Sequence, residues 1–132
     1  MADIRITLDG KKKVSAHLKG HVISTDQSIE SGGDNSAPAP FDLFLASLGT
    51  CAGIYVKYFC DQRNIDATGI EIIQSVDYDT QKRLPSKITL DIKLPSDFPE
   101  KYRDAVVNAA QLCAVKRSIA DPPVFEIVSS FI

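Results

Sequence analysis

Three cysteines, Cys51, Cys60 and Cys113, are the side chains of this sequence best suited to chemistry. A thiolate can attack the O–O bond of a peroxide and become a sulfenic acid, which a second thiol condenses with to form a disulfide. Cys51 and Cys113 are far apart in the chain, so only the fold can join them in that chemistry. Free cysteines are also among the most buried residue types, and the residues alone leave inert packing and a protected reactive pair both open. Cys60 lies nine residues after Cys51. At about 100° per residue it projects from the opposite side of a helix and reads as a structural or surface thiol. An odd cysteine count is no disulfide framework, and without a C-x-x-C pair no zinc site is expected. His17 and His21 are far from every cysteine and show no acidic partner pattern, which suits a surface or hydrogen-bonded role.

The element that must hold Cys51 is the stretch from Ser36 to Cys60. Its apolar positions, Phe41, Phe44, Leu45, Leu48, Cys51, Ala52, Tyr55 and Phe59, recur at steps of three and four, which predicts one long, mostly buried helix. Pro40 suits the first helical turn, where its missing N–H has no helical partner. Cys51 then sits about three turns in, beyond the reach of the helix N-terminal field. The attacking thiolate needs a nearby cation or other donors, so an Arg or Lys is expected to come from elsewhere in the chain or from a partner chain. Phe41, Phe44, Tyr55, Tyr58 and Phe59 read first as core contacts, and second as walls of an apolar pocket.

Residues 3–9 alternate polar and apolar, Asp9-Gly10 signals a turn, and 14–18 alternate again, which predicts a hairpin. Residues 20–25 are a third strand or the end of the second. The Gly-, Pro- and Ser-rich run 31–40 is a loop leading into the helix, which should stop near Asn64. Residues 70–78 and 88–94 predict a second antiparallel hairpin across a polar turn at 81–86. Pro95–Glu100 reads as the start of a second helix, with Asp97 and Glu100 spaced as a capping box and Pro99 in the first turn. That helix carries Tyr102, Val106, Ala109, Ala110 and Cys113, Asp121-Pro-Pro ends it, and residues 124–132 form a terminal strand. Antiparallel strands with helices against one face make an α+β fold, here one domain over residues 1–132.

The chain has 132 residues, 44% hydrophobic and 24% charged, a globular composition able to bury a core. A net charge of −2 gives no long-range attraction to nucleic acid or an anionic membrane. Lys11-Lys12-Lys13 after Asp9-Gly10 reads as a solvated turn. No signal peptide and no stretch long enough to cross a bilayer is evident, so the cytoplasm is the expected compartment. In a reducing cytosol a disulfide is more often transient and catalytic than structural.

Gly32-Gly33, the run Pro38 to Cys51 and the segment Leu112-Cys113-Ala-Val-Lys resemble the OsmC/Ohr family, most closely its OsmC-like (YhfA-type) branch. The run around Cys51 is specific, that around Cys113 less so, and the element order agrees along essentially the whole chain. The resemblance implies antiparallel sheets around two central helices in an intertwined homodimer, with sites at the subunit interface. It implies reduction of organic hydroperoxides or hydrogen peroxide by thiols, lipoyl dithiols serving some members, without metal, haem or flavin. Carried over, Cys51 matches the peroxide-attacking cysteine and Cys113 the resolving one. The family's peroxidase branches have a Glu ten residues before the reactive cysteine, where this chain has Phe41; Asp42 is one position away. Those branches also hold the thiolate with an N-terminal arginine, and Arg5 is the only arginine before the first helix. The proline that often follows the second cysteine is Ala114, and Lys116 or Arg117 could supply a cation. The leading expectation is a thiol-dependent peroxidase in oxidative stress defence; the alternatives are a non-catalytic small-ligand-binding protein and a redox sensor of the same fold.

Overall fold

The structure, a computed structural model, describes residues 3–132, which pack as two compact units, one reaching Ala46 and one spanning Ser47–Ile132.

In the first unit, β1 (Arg5–Gly10), β2 (Lys13–Leu18) and β3 (His21–Thr25) form an antiparallel meander in that order. β3 is a strand of its own because Lys19 and Gly20 both take positive φ, 48° and 80°. Two such residues make the hairpin turn whose twist matches the strands. The register sets Ile6, Ala16 and Ile23 side by side on one face, and Thr7 and Ser15 on the other. The loop after β3 is built on Asp26, which is wholly buried. Its carboxylate accepts the backbone N–H groups of Gln27 (2.8 Å), Asp34 (3.3 Å) and Ser36 (3.0 Å), and the Ser36 hydroxyl (2.6 Å). Four donors hold the Asp26 carboxyl well below the usual carboxylate range, the Ser36 hydroxyl contributing most. The loop is so tight at Gly33 that a Cβ there would lie 2.1 Å from the Gln27 carbonyl oxygen.

The long helix α1 runs Pro40–Gln62, with Pro40 at its first position. Asp42 Oδ2 accepts the Ala39 N–H at 3.1 Å, the returning arm of a capping box. Within the second unit, α1 buries Leu48, Ala52, Val56, Phe59 and Cys60. Ala52, Val56, Phe59 and Cys60 form the core with Val106 and Ala110 of α2 (Arg103–Ala110). The inward residues of the antiparallel hairpin β4 (Glu71–Asp79) and β5 (Leu84–Lys93), among them Ile72, Leu90 and Ile92, cover that core. A third helix, α3, spans Ala114–Ala120. The fold is α+β, with antiparallel sheets and three helices.

Five expectations are corrected. β5 begins at Leu84 rather than 88, because the Asp79 carboxylate accepts from the Gln81 and Lys82 amides and closes the turn within 80–83. A register shift at Asp77/Tyr78 then admits Pro85 into the strand. The capping box at Asp97 and Glu100 does not form: Pro99 is extended (φ −61°, ψ 117°) and leads into a 3-10 turn over Glu100–Tyr102. The helix expected to carry Cys113 ends at Ala110, and Cys113 caps α3 instead. Residues 124–132 form no strand, and their apolar side chains, Val124 and Phe131 among them, are fully exposed. Finally, α1 is long and apolar enough, by length and composition alone, to cross a bilayer, where no such stretch was expected. The core takes Ala52, Val56, Phe59 and Cys60 of this helix, while Phe41, Phe44, Ile54 and Tyr58 stay exposed, so it is less buried than its apolar spacing predicts.

Candidate thiol site

Cys113 follows a turn at Gln111–Leu112 and is extended (φ −48°, ψ 121°). In that conformation it is the N-cap of α3, and its sulfur accepts the Lys116 N–H at 3.4 Å. The same thiol reaches the carbonyl oxygen of Leu48 at 3.9 Å. Leu48 lies one helical turn before Cys51 on α1, so the start of α3 abuts the turn of α1 that carries Cys51.

The consequence is a thiol with donors around it. The Cys51 pKa is lowered, first by the Val115 backbone N–H and the Cys113 thiol, then by the Ala114 N–H and the charge of Arg117, with burial opposing. Cys113 moves the other way: it is 2% exposed, and burial pushes its pKa up. Both are free thiols. Cys113 has one proton to offer, to the Leu48 carbonyl or to the Cys51 sulfur, and an ionised Cys51 is the stronger acceptor. The arrangement is a half-buried thiol biased toward thiolate beside a buried thiol biased toward its protonated form. Cys60 is 0% exposed in the core, its pKa raised chiefly by burial, as expected of a packing residue.

Cys113 also lines a cavity of about 320 Å³. Leu48, Leu90, Ile92 and Val107 supply apolar wall, and Gln111 and Lys116 are its polar residues. Cys51 is not part of the wall, nor is any of the five aromatics of α1 named above.

The remaining candidates lie as follows. Arg5 opens β1 opposite His17, and Asp42 caps the start of α1. Lys116 donates its amide to Cys113 and lines the cavity, whereas Arg117 is the cation felt at Cys51. His17 does have polar company. The Thr7 hydroxyl gives its one proton to Asp9 (2.8 Å), so its oxygen accepts from His17 Nε2 (3.1 Å). The Ser15 hydroxyl also donates to Asp9, at 2.5 Å. Hairpin register around Gly10 would have shown this network, because it sets Thr7 opposite Ser15. The backbone donors of Ala114 and Val115 left no mark in the sequence beyond a cysteine before a short helical run. Among the described residues no cluster of His, Cys, Asp and Glu is arranged to hold a metal ion.

A family model described as OsmC-like protein matches residues 33–128. No protein of curated function matches the sequence. Among solved structures, a Psychrobacter arcticus protein named as a candidate osmotic stress induced and detoxification response protein superposes with a TM-score of 0.78 at 23% identity, over 89% of this chain and 88% of its own. An OsmC-like protein of Mycoplasma pneumoniae gives 0.73 at 13% identity, over 92% and 89% of the two chains. The organic hydroperoxide resistance protein OhrB of Bacillus subtilis gives 0.53 at 19%, over 89% and 90%. At these identities the likeness is one of fold. With the matched segment covering both cysteines of the site and most of the chain, this protein belongs to the OsmC-like family.

Proposed function

We propose that this chain is a thiol-dependent peroxidase of oxidative stress defence, acting on organic hydroperoxides or hydrogen peroxide. The observation that carries it is the placement of two free thiols together, half-buried Cys51 beside the amides that open α3, and buried Cys113, whose sulfur lies 3.9 Å from the Leu48 carbonyl one turn before Cys51. The Cys51 thiolate attacks the distal peroxide oxygen; the O–O bond breaks and the leaving alkoxide or hydroxide takes a proton. Cys113 sulfur then attacks the Cys51 sulfenic acid, its proton leaving with the sulfenic OH as water and the S–S bond forming. An external thiol or dithiol returns both cysteines to thiols, with no resident metal or cofactor in the cycle. The family, and the naming of the Bacillus subtilis neighbour for organic hydroperoxide resistance, support a redox or stress role.

The same reading takes the working protein to be a cytoplasmic homodimer. Support comes from apolar side chains left exposed in each unit: Ile4, Ile6 and Leu8 in the first, and Val124, Phe125 and Ile127 in the second. Arg5 and Asp42 are proposed as supporting residues on the family pattern. A sensing role has one observation in its favour, since closing the disulfide alters the cap of α3. The test is peroxide consumption by reduced protein with excess dithiol, hydrogen peroxide against cumene hydroperoxide, with Cys51→Ser, Cys113→Ser, Arg5→Gln and Asp42→Asn in parallel. Turnover lost in Cys51→Ser and impaired in Cys113→Ser supports the mechanism. No turnover by folded, reduced wild type refutes it.

A further inference from the structure

α3 is lightly held. It has seven residues, of which Val115 alone is half-buried and none is buried. Among the described residues, it gives no side chain to the core of its unit or to the apolar layer packed on that core. Helices shorter than about 12–15 residues are marginal on their own in water. What holds α3 is its start. The Cys113 sulfur caps it by accepting the Lys116 N–H at 3.4 Å, and the Ala114 and Val115 N–H groups act on the Cys51 sulfur. Resting on the peroxidase reading, we propose that α3 is a redox switch. It is ordered while Cys51 and Cys113 are thiols and comes loose when they join as a disulfide, uncovering the apolar wall behind it.

A hydrogen bond to an ionised acceptor is roughly twice as strong as one between neutral groups. Closing the disulfide removes the charge from Cys51 and turns the Cys113 sulfur from a free cap toward its new partner. The first amides of α3 are then left with weak, neutral sulfur acceptors whose placement the bridge sets. A helix with a buried face would survive that loss, and α3 has none. Its other ties are internal to the segment: the Ser118 hydroxyl donates to the Ala114 carbonyl at 2.8 Å, and the Asp121 N–H to the Arg117 carbonyl at 3.0 Å. Both go when the helix goes.

Lys116 and Ile119 are the α3 residues that line the cavity of about 320 Å³. Leu48 of α1, Leu90 and Ile92 of β5 and Val107 of α2 form its apolar wall. With α3 loose that wall faces water, while the bridge keeps Cys113 tethered to α1. The state of two largely hidden sulfurs is thereby displayed at the surface. The bridge forms as two thiols lose two electrons and two protons. In the peroxidase cycle the peroxide takes them; with diamide the N=N bond takes them and becomes a hydrazine. Reduction returns both sulfurs as acceptors, so α3 re-forms.

The experiment uses the full chain, reduced or oxidised with diamide, with the Cys51–Cys113 bridge verified by peptide mapping. Amide hydrogen exchange is followed by mass spectrometry at short labelling times, beside limited trypsin cleavage after Lys116 and Arg117, both exposed on α3. On oxidation, residues 114–121 should exchange at least about tenfold faster, and the two bonds should be cut faster by a similar factor. Peptides of α1, β4 and β5 should keep their rates, and dithiothreitol should restore the slow ones. Cys51→Ala forms no bridge and leaves Cys113 as the cap, so it should exchange at a rate between the two wild-type forms and ignore diamide. A verified bridge with unchanged exchange over 114–121, or acceleration spread through the core, overturns the switch while leaving the peroxidase reading intact. So does a Cys51→Ala variant as slow as reduced wild type. Failure of diamide to join the two sulfurs overturns the two-cysteine reading itself, and the switch with it.

Discussion

Replacing Ala114 with proline removes one hydrogen-bond donor from Cys51 and little else. Ala114 is the first residue of α3, where proline is well tolerated because its missing N–H has no helical partner. The residue before it, Cys113, already has φ −48° and ψ 121°, the extended conformation that a following proline demands. What disappears is the Ala114 N–H, one of two backbone groups that favour the Cys51 thiolate. A hydrogen bond to a charged acceptor contributes about 1.5–3 kcal/mol. With Cys51 open on one side to water and the stronger Val115 donor still in place, about 1 kcal/mol is a fair share, or roughly a fivefold fall in thiolate at neutral pH. The assay is the iodoacetamide alkylation rate of Cys51 against pH, followed by peptide mass. In the wild type a lowered pKa means that reactivity persists to lower pH than for a free thiol. The Ala114→Pro curve should move to higher pH with its alkaline plateau unchanged. Ala114→Gly, which keeps the N–H but loosens the helix, should leave the curve close to wild type. A proline variant with native circular dichroism and an unmoved curve would refute the reasoning, and so would a glycine variant that moved as far as the proline one.

Other consequences are open to simpler measurements. Cys113→Ser keeps an N-cap acceptor for the Lys116 amide and a donor for the Leu48 carbonyl, so it should exceed Cys113→Ala in denaturant stability by about 1 kcal/mol; equal stabilities would deny Cys113 its capping role. Asp26→Ala strands three amides and should lower Tm by about 5 °C or more. Because the folded pKa of Asp26 is lowered, its stabilisation is complete above the ordinary carboxylate value and is lost as pH falls toward the folded one; the variant's acid-unfolding curve should therefore be flatter than wild type over that range. Gly49→Ala gains about 1 kcal/mol of helix propensity but puts a Cβ 2.8 Å from Gln74 Oε1, so it should stabilise only when combined with Gln74→Ala, as a double-mutant cycle in urea would show. In native protein near neutral pH, maleimide should label Cys51 long before Cys60, whose sulfur is sealed and whose pKa is raised; comparable rates would contradict the core placement of Cys60.

The periodic elements were legible because their apolar spacing is their structure. Leu48, Ala52, Val56 and Phe59 recur along α1 as they must to face one core, and the alternation of Ile88, Leu90 and Ile92 marks β5. What sequence missed depends on single residues in unusual conformations. The break between α2 and α3 turns on the extended backbone of Cys113, which carries no Gly or Pro to announce it. The capping box at Asp97 failed because Pro99 fixes φ near −61° but not ψ, and ψ here is 117°. The strand expected at 124–132 has the right composition, but a strand needs a neighbour. Among the described residues the sheets are β1-β2-β3 and β4-β5 alone. Cys51 and Cys113 were identifiable as candidates, whereas their donors are backbone amides, which every residue but proline has, so residue types could not single them out.

Backbone amides can take the place of a charged side chain beside a thiolate. A thiolate three turns into a helix needs stabilisation from outside that helix, and a guanidinium is one solution. The start of α3 is another, because the first amides of a helix have no partner within it and point outward along its axis. Here the Ala114 and Val115 amides act on Cys51, while the next one along the chain, that of Lys116, is taken by Cys113. One short backbone segment therefore acts on both sulfurs. It draws Cys51 toward thiolate and also favours the charged form of Cys113, whose pKa is nevertheless pushed up by burial. The difference between the cysteines comes from which amides of α3 each sulfur faces and from burial, with Arg117 the last and weakest contributor at Cys51. Arg117→Gln should for that reason shift the Cys51 alkylation curve less than Ala114→Pro does, and the reverse order would return the tuning of this site to side-chain charge.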